Sequence, residues 1–445
     1  MHRKKNISGR KDGRGVIVTL VAIFMLFVVG AMAALSIDVV TIYTARSEAQ
    51  LAADGAALAA ARVIANSGAT SDSTGALLLS VEAAGGPAQN VASQVAQQNQ
   101  VGGAYLTAAN VLTPSFAGTY TNPTVTVKIQ VTNLPTFFAR IWGTKFITVA
   151  ASATAEAYNP SGVAGTTSVT KLPVAPRCVK PWLLPNIDPS DTANPGSPIF
   201  DPASGAVKTT TLLGSTSSIP GPPPPLQAAC TNCSTLPPPA AAGWQYYPGD
   251  TDITSSFPPP TQSIPACTPA MTTAYEKAIA GCIQIPIACN SLANIDTSDY
   301  TRRNRETAHA VNCLTHSTGN AGDTVNGIPF TTPLSTPFEF VAGSDNPIPG
   351  AAPNDVMVSD SLVAVPVFDV GPGPPFSVPP NQVQIVGFVQ LFLSPDGLAT
   401  QPFGTTAGQV KTTVINLAGC GTGASGQPIL GNGASPVAVR LISPP

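Results

Sequence analysis

Residues 15–66 read GVIVTLVAIFMLFVVGAMAALSIDVVTIYTARSEAQLAADGAALAAARVIAN, and this stretch decides the fold. From Gly15 to Ile37 there is no charge, only residues such as Val16-Ile17-Val18 and Ile23-Phe24-Met25-Leu26-Phe27-Val28-Val29. A run of about 20 apolar residues is long enough to cross the hydrocarbon of a bilayer. The preceding residues 1–14 carry Arg3, Lys4, Lys5, Arg10, Lys11 and Arg14 against a single acid, Asp12. Basic residues stay on the cytoplasmic side, so 1–14 reads as a cytoplasmic tail, 15–37 as a transmembrane helix and the rest as extracytoplasmic.

A removed secretory signal is the competing reading. Such signals have an apolar region of about 7–15 residues before a small-residue cleavage site. Ala31-Met32-Ala33 offers such a triplet, but the apolar run is longer. No proline interrupts residues 31–66, and Ala, Leu, Arg, Glu and Gln dominate them, all good helix formers. The uncleaved anchor is therefore the preferred reading. A pilin-type leader would place Glu five residues after Gly15, where Leu20 stands, and is set aside.

Beyond the span, Ile42, Ala45, Ala49, Ala52, Ala56, Ala59 and Val63 recur in steps of three and four, which makes a seam on one helical face. Inside the span, Gly30-x-x-x-Ala34 is a further pair of small residues that lets a second backbone approach. Arg46, Gln50 and Asp54 form a separate polar ridge. The seam either docks on the protein's own sheet or packs on another copy or a partner helix. The first is preferred, because so short a seam seldom specifies a coiled coil.

Asp38-Val39-Val40, Tyr43, Ala45-Arg46, Gln50 and Ala52-Ala53-Asp54-Gly55-Ala56-Ala57-Leu58 resemble the N-terminal module of the TadE/TadG-like Flp pilus-assembly proteins. In that family an apolar span ends in Asp-Val-Gly, followed by Tyr, Ala-Arg, Leu-Gln and Ala-Ala-Asp-Ala-Ala-Ala-Leu. Asp38, Tyr43, Arg46, Gln50, Asp54 and Leu58 match the motif, and Val40, Ala49 and Gly55 depart from it by small changes. The likeness covers about 50 residues, and any one element of it alone would be weak.

Further along, 124–131 alternates like a half-buried strand, 134–143 reads as a short helix with Pro135 near its start and Gly143 after its end, and 146–157 gives another strand. This order of strand, Pro-Thr-Phe-Phe-Ala-Arg and strand is similar to the segment beyond the anchor in the same family. By that analogy residues 38–158 are a pilin-like helix on a small sheet. Phe137, Phe138 and Trp142 read as core rather than contact residues.

The 445 residues leave room for two or three domains after the anchor. Charged residues are 10%, well below the usual share of about 25%. With 46 Pro and 39 Gly, the remainder favours turns and short strands. A helix is expected around 91–100, 159–172 reads as a linker, and 173–445 as a Pro-rich, mainly-β region with one helical stretch near 269–283. Its best strands are 361–370, 383–393 and 410–417. Proline runs at 222–225, 237–239 and 258–260 read as extended connectors. The expected fold class is thus α+β.

Cys178, Cys230, Cys233, Cys267, Cys282, Cys289, Cys313 and Cys420 all lie beyond the span. An even count in an oxidising compartment suggests up to four disulfides, with Cys178 and Cys420 placed to join the ends of the terminal region. Cys230-x-x-Cys233 lacks the second pair that a zinc site needs. No catalytic, cofactor or metal constellation stands out, and Arg302, Arg303, Arg305, Glu306 and His309 read as a solvated helical face. A net charge of −2 gives no case for nucleic acid. The resemblance to the TadE/TadG-like proteins implies a structural function: a single-pass inner-membrane component of a Tad-type (Flp) pilus or related envelope system. Its expected partners are the bilayer, other assembly or envelope proteins and further copies of itself, with its body periplasmic or extracellular. The alternative is a secreted or surface-anchored binding protein or adhesin.

Overall fold

A computed structural model of the chain describes residues 14–162, 172–209, 211–221, 244–251, 269–281, 285–296, 300–316, 322–326, 338–346, 359–370, 382–398, 408–420, 426–431 and 435–442. The fold is α+β, built on one long apolar helix followed by mixed sheets. Helix α1, Arg14–Asn66, runs unbroken for 53 residues, about 80 Å at 1.5 Å per residue. From Ile17 to Val40 almost every large apolar side chain on it is exposed. From Ala45 onward it sinks into the body, and by residues 63–66 it is buried all round. Gly68 ends the course of the helix with φ +78, where an added Cβ would meet the Ile415 carbonyl oxygen at 2.6 Å, so only glycine fits.

The body half of α1 lies on a four-stranded antiparallel sheet made of β1 (Val111–Ala117), β2 (Thr124–Pro135), β3 (Phe146–Tyr158) and β11 (Ala438–Ile442), in the order β11-β3-β2-β1. Along β2 the alternation works as a strand with one buried face should: Val125, Val127 and Ile129 are buried while Lys128 is exposed. Alanines of α1 meet these valines, and Ala88, Ala92 and Ala96 of α3 (Pro87–Gln97) join the same core. Gly55 faces α3, since a Cβ there would sit 3.8 Å from Val95 Cγ1. Strand β11 comes from the far end of the chain, pairing Ala438 with Tyr158 and Ile442 with Thr154.

The second sheet holds β4 (Trp182–Pro185), β5 (Thr216–Ile219), β6 (Tyr247–Pro248), β7 (Leu292–Asn294), β8 (Leu362–Phe368), β9 (Gln382–Leu398) and β10 (Val410–Gly419). Its order is β5-β10-β9-β8-β4-β6, with β7 beside β9. All seven residues of β8 are buried, which suits a central strand covered on both faces. Two helices, α4 (Ala274–Ala280) and α5 (Tyr300–Leu314), supply part of that cover through Tyr275, Ile279, Ala310, Val311 and Leu314.

Three expectations need correction. Helix α5 is not a solvated face: Arg303 is buried, bonded to Asp296 and to Glu306 at 2.9 Å, with its guanidinium 4.8 Å from the centre of the Tyr275 ring. Paired charges and a stacked ring let an arginine be buried there. Cys420 is joined to Cys289, 131 residues away, and not to Cys178. Cys178 and Cys313 are also disulfide-bonded, while Cys230, Cys233, Cys267, Cys282 and the three proline runs lie outside the described residues. The third correction concerns Phe137, which is exposed at the site below and not part of a core. Of 159–172, only Asn159 to Gly162 and Leu172 are described; Asn159 is fully buried and donates to the Leu417 carbonyl at 2.7 Å.

Candidate functional site

Where α1 leaves its apolar stretch, its first acid is buried rather than solvated. Asp38 accepts backbone hydrogen bonds from Phe137 (2.9 Å to Oδ1), Phe138 (3.0 Å to Oδ2) and Ala139 (2.6 Å to Oδ2). These three N–H groups open a short 3-10 turn, Ala139–Trp142, whose first donors have no partner of their own. A carboxylate is the natural cap for such a cluster. Burial opposes its charge, yet the three N–H donors hold the Asp38 carboxyl below the usual range.

The loop so held is compact. Thr136 donates its N–H to the Lys145 carbonyl at 3.2 Å, and Thr144 donates back to Ala139 at 3.2 Å. Gly143 closes the turn at φ +99. With its backbone turned toward Asp38, the loop presents Phe137 outward, so Phe137 is 63% exposed. Phe138 is half-buried, and the side chain of Trp142 lies outside the described residues.

The other motif residues of α1 are spread around it. Tyr43 and Arg46 are exposed. Gln50 donates to Asp54 at 2.8 Å and to the Ser152 carbonyl of β3 at 3.2 Å, tying the polar ridge to the sheet. Leu58 is half-buried against the core. Along the small-residue seam, Ala45, Ala49, Ala52, Ala56 and Val63 are buried, Ile42 and Ala59 half-buried, Ala34 buried near the junction and Gly30 exposed.

At its other end α1 is bonded into the second sheet. The buried Asn416 of β10 donates to the Ala65 carbonyl at 2.8 Å and to Thr70 Oγ1 at 3.0 Å, and accepts from Ser71. Gln390 of β9 donates to Asn66 at 3.0 Å. Sequence reasoning misses this cluster, because nothing local distinguishes a buried asparagine from one in a turn.

Elsewhere, Lys180 is buried with Nζ 2.6 Å from the carbonyls of Ile279 and Gly281, and burial pushes its amine down to about 7. His309 meets Glu276 at 2.9 Å. Among the described residues no group of three or more His, Cys, Asp or Glu is placed to hold a metal. What this arrangement does chemically is fix a helix at two heights.

Residues 15–63 match the Tad family model, described as Flp pilus-assembly TadE/G-like. The match covers the N-terminal stretch alone, which is what the chain shares with that family. No curated protein and no solved structure matches the chain.

Proposed function

We propose that this protein is a membrane-anchored structural or assembly component of a Tad-type (Flp) pilus or a related envelope system. In this reading, residues 15–37 span the bacterial inner membrane, the basic tail is cytoplasmic and the body is periplasmic or extracellular. It works by helix packing and by protein contacts, without turnover. The observation that carries the reading is α1 itself: apolar and exposed over its first half, as lipid contact requires, then continuous into the packed core of the body. The match of residues 15–63 to the pilus-assembly family supports the assignment to that system.

Tyr43 and Leu51 stand exposed on the emergent helix, where a partner can reach them. A photo-crosslinking residue at Leu51 should capture other components of the assembly, or a second copy, in cells. Sequencing the mature amino terminus is the sharper test. An intact span supports anchoring; a start at Ala34 would overturn it and return the secreted binding protein as the better account.

A further inference from the structure

The loop capped by Asp38 carries more exposed aromatic surface than a soluble connection needs. Phe137 is 63% and Phe146 58% exposed, and the exposed cations Arg140 and Lys145 flank them. Hydrogen bonds from 137–139 to Asp38 place this loop at the height where the apolar run of α1 ends. Phe138 reaches lower still. Its ring lines an apolar groove together with Phe27, Gly30 and Ala34, residues inside the uncharged stretch. Ala34 alone lies one turn, about 6 Å, below Asp38.

We propose that the 136–146 loop is a second membrane contact, a foot whose phenylalanines enter the outward-facing interface of the bilayer beside α1. Phenylalanines of interfacial segments bury into the boundary between headgroups and acyl chains, and neighbouring Arg and Lys side chains reach back to the headgroup phosphates. The groove opens onto the same surface of α1 that is exposed from Ile17 to Val40, so acyl chains covering the helix also cover the groove. A cap that fixes three backbone N–H groups gives the foot a set height, which a free loop would lack. The spanning helix and the foot together make two points of contact, and two points restrict the tilt of the body on the membrane.

This inference rests on α1 spanning the bilayer, so the test separates the two. Full-length protein is placed in nanodiscs of phosphatidylethanolamine and phosphatidylglycerol, with and without brominated acyl chains. Tryptophan emission is read as the difference from the parent protein for Phe137→Trp, Val29→Trp and Leu79→Trp. Val29 lies in the span, and Leu79 is exposed on α2 (Ala76–Glu82), near the far end of α1. The expected result is blue-shifted, strongly quenched added emission for Phe137→Trp and Val29→Trp, and unquenched emission for Leu79→Trp. Quenching at Val29 without quenching at Phe137 overturns the foot and leaves the anchor standing. Blue-shifted but unquenched emission at Phe137 also overturns it, and points to a protein partner on the loop. No quenching at Val29 overturns the spanning reading and the foot with it.

Discussion

Replacing Asn416 by alanine tests whether α1 and the second sheet are one mechanical unit. The Asn416 amide is the short donor to the Ala65 carbonyl, at 2.8 Å, in the last turn of α1. Last-turn carbonyls have no partner within their own helix. After truncation, the donor left to the Ala65 carbonyl among the described residues is the Ser435 hydroxyl, at 3.4 Å. Thr70 and Ser71 are better placed, because Asn159 at 3.3 Å and the Leu417 carbonyl at 2.9 Å remain to them. A buried carbonyl left without a donor costs about 1–3 kcal/mol, and each further lost bond about 1 kcal/mol net. The expected loss is therefore about 2–5 kcal/mol, a large share of a typical stability of about 5–15 kcal/mol. Urea unfolding of the full chain in detergent reads this directly, and limited proteolysis should open the segment after Asn66 first. Asn133→Ala, at an exposed position on β2, should stay within about 0.5 kcal/mol. A loss below about 1 kcal/mol for Asn416→Ala would refute the reasoning, since the cluster would then be an incidental contact.

Two further outcomes are expected. Ala52→Leu and Ala56→Leu place three extra carbons where α1 is fully buried, which should cost about 1–3 kcal/mol each and lower the thermal midpoint and protease resistance; Ser47→Leu, on an exposed position, should do little. If all three behave alike, the seam is an accident of an Ala-rich helix. Lys180, with its amine pushed down to about 7 by burial, binds a proton less readily folded than unfolded. Its unfavourable contribution is thus full below pH 7 and is relieved as pH rises toward the unfolded value of about 10.4, with a slope of up to about 1.36 kcal/mol per pH unit. Lys180→Met should remove that slope from unfolding curves taken between pH 7 and 10, and an unchanged slope would assign the pH dependence to other groups.

How much of the fold is legible in the sequence depends on how far each signal reaches along the chain. The helix is legible because its information is local: an uncharged run, then a seam of small residues without proline. Strands expected at 124–131, 146–157, 361–370, 383–393 and 410–417 emerge within a few residues of β2, β3, β8, β9 and β10. Arg303 misleads because the partners that permit its burial, Asp296 and Tyr275, lie outside its own helix. Asp38 and the Pro-Thr-Phe-Phe-Ala-Arg segment each stand out in the sequence, but as separate resemblances. The bonds that join them span 99 to 101 residues, which no periodicity reports. Apolarity assigns Phe137 to a core, but the loop turns its backbone toward Asp38 and leaves that ring exposed.

The two fastenings of α1 bear on what kind of protein this is. Asp38 and Asn66 are 28 residues apart, which on a helix is about 42 Å. Between them α1 has the sheet on one side and α3 on another, in contact through alanines that leave little room for sliding. The C-terminal strand β11 then closes the same sheet, so the last described part of the chain is hydrogen-bonded to a strand that rests on the helix. A binding domain carried on a flexible tether would orient freely, because a Gly- or Ser-rich linker transmits no torque. Here no such segment separates the apolar half of α1 from the body. A tilt or rotation of the apolar half of α1 must therefore move both sheets with it. In the reading proposed above, that stiffness serves a part that holds position within an assembly better than one that searches for a ligand.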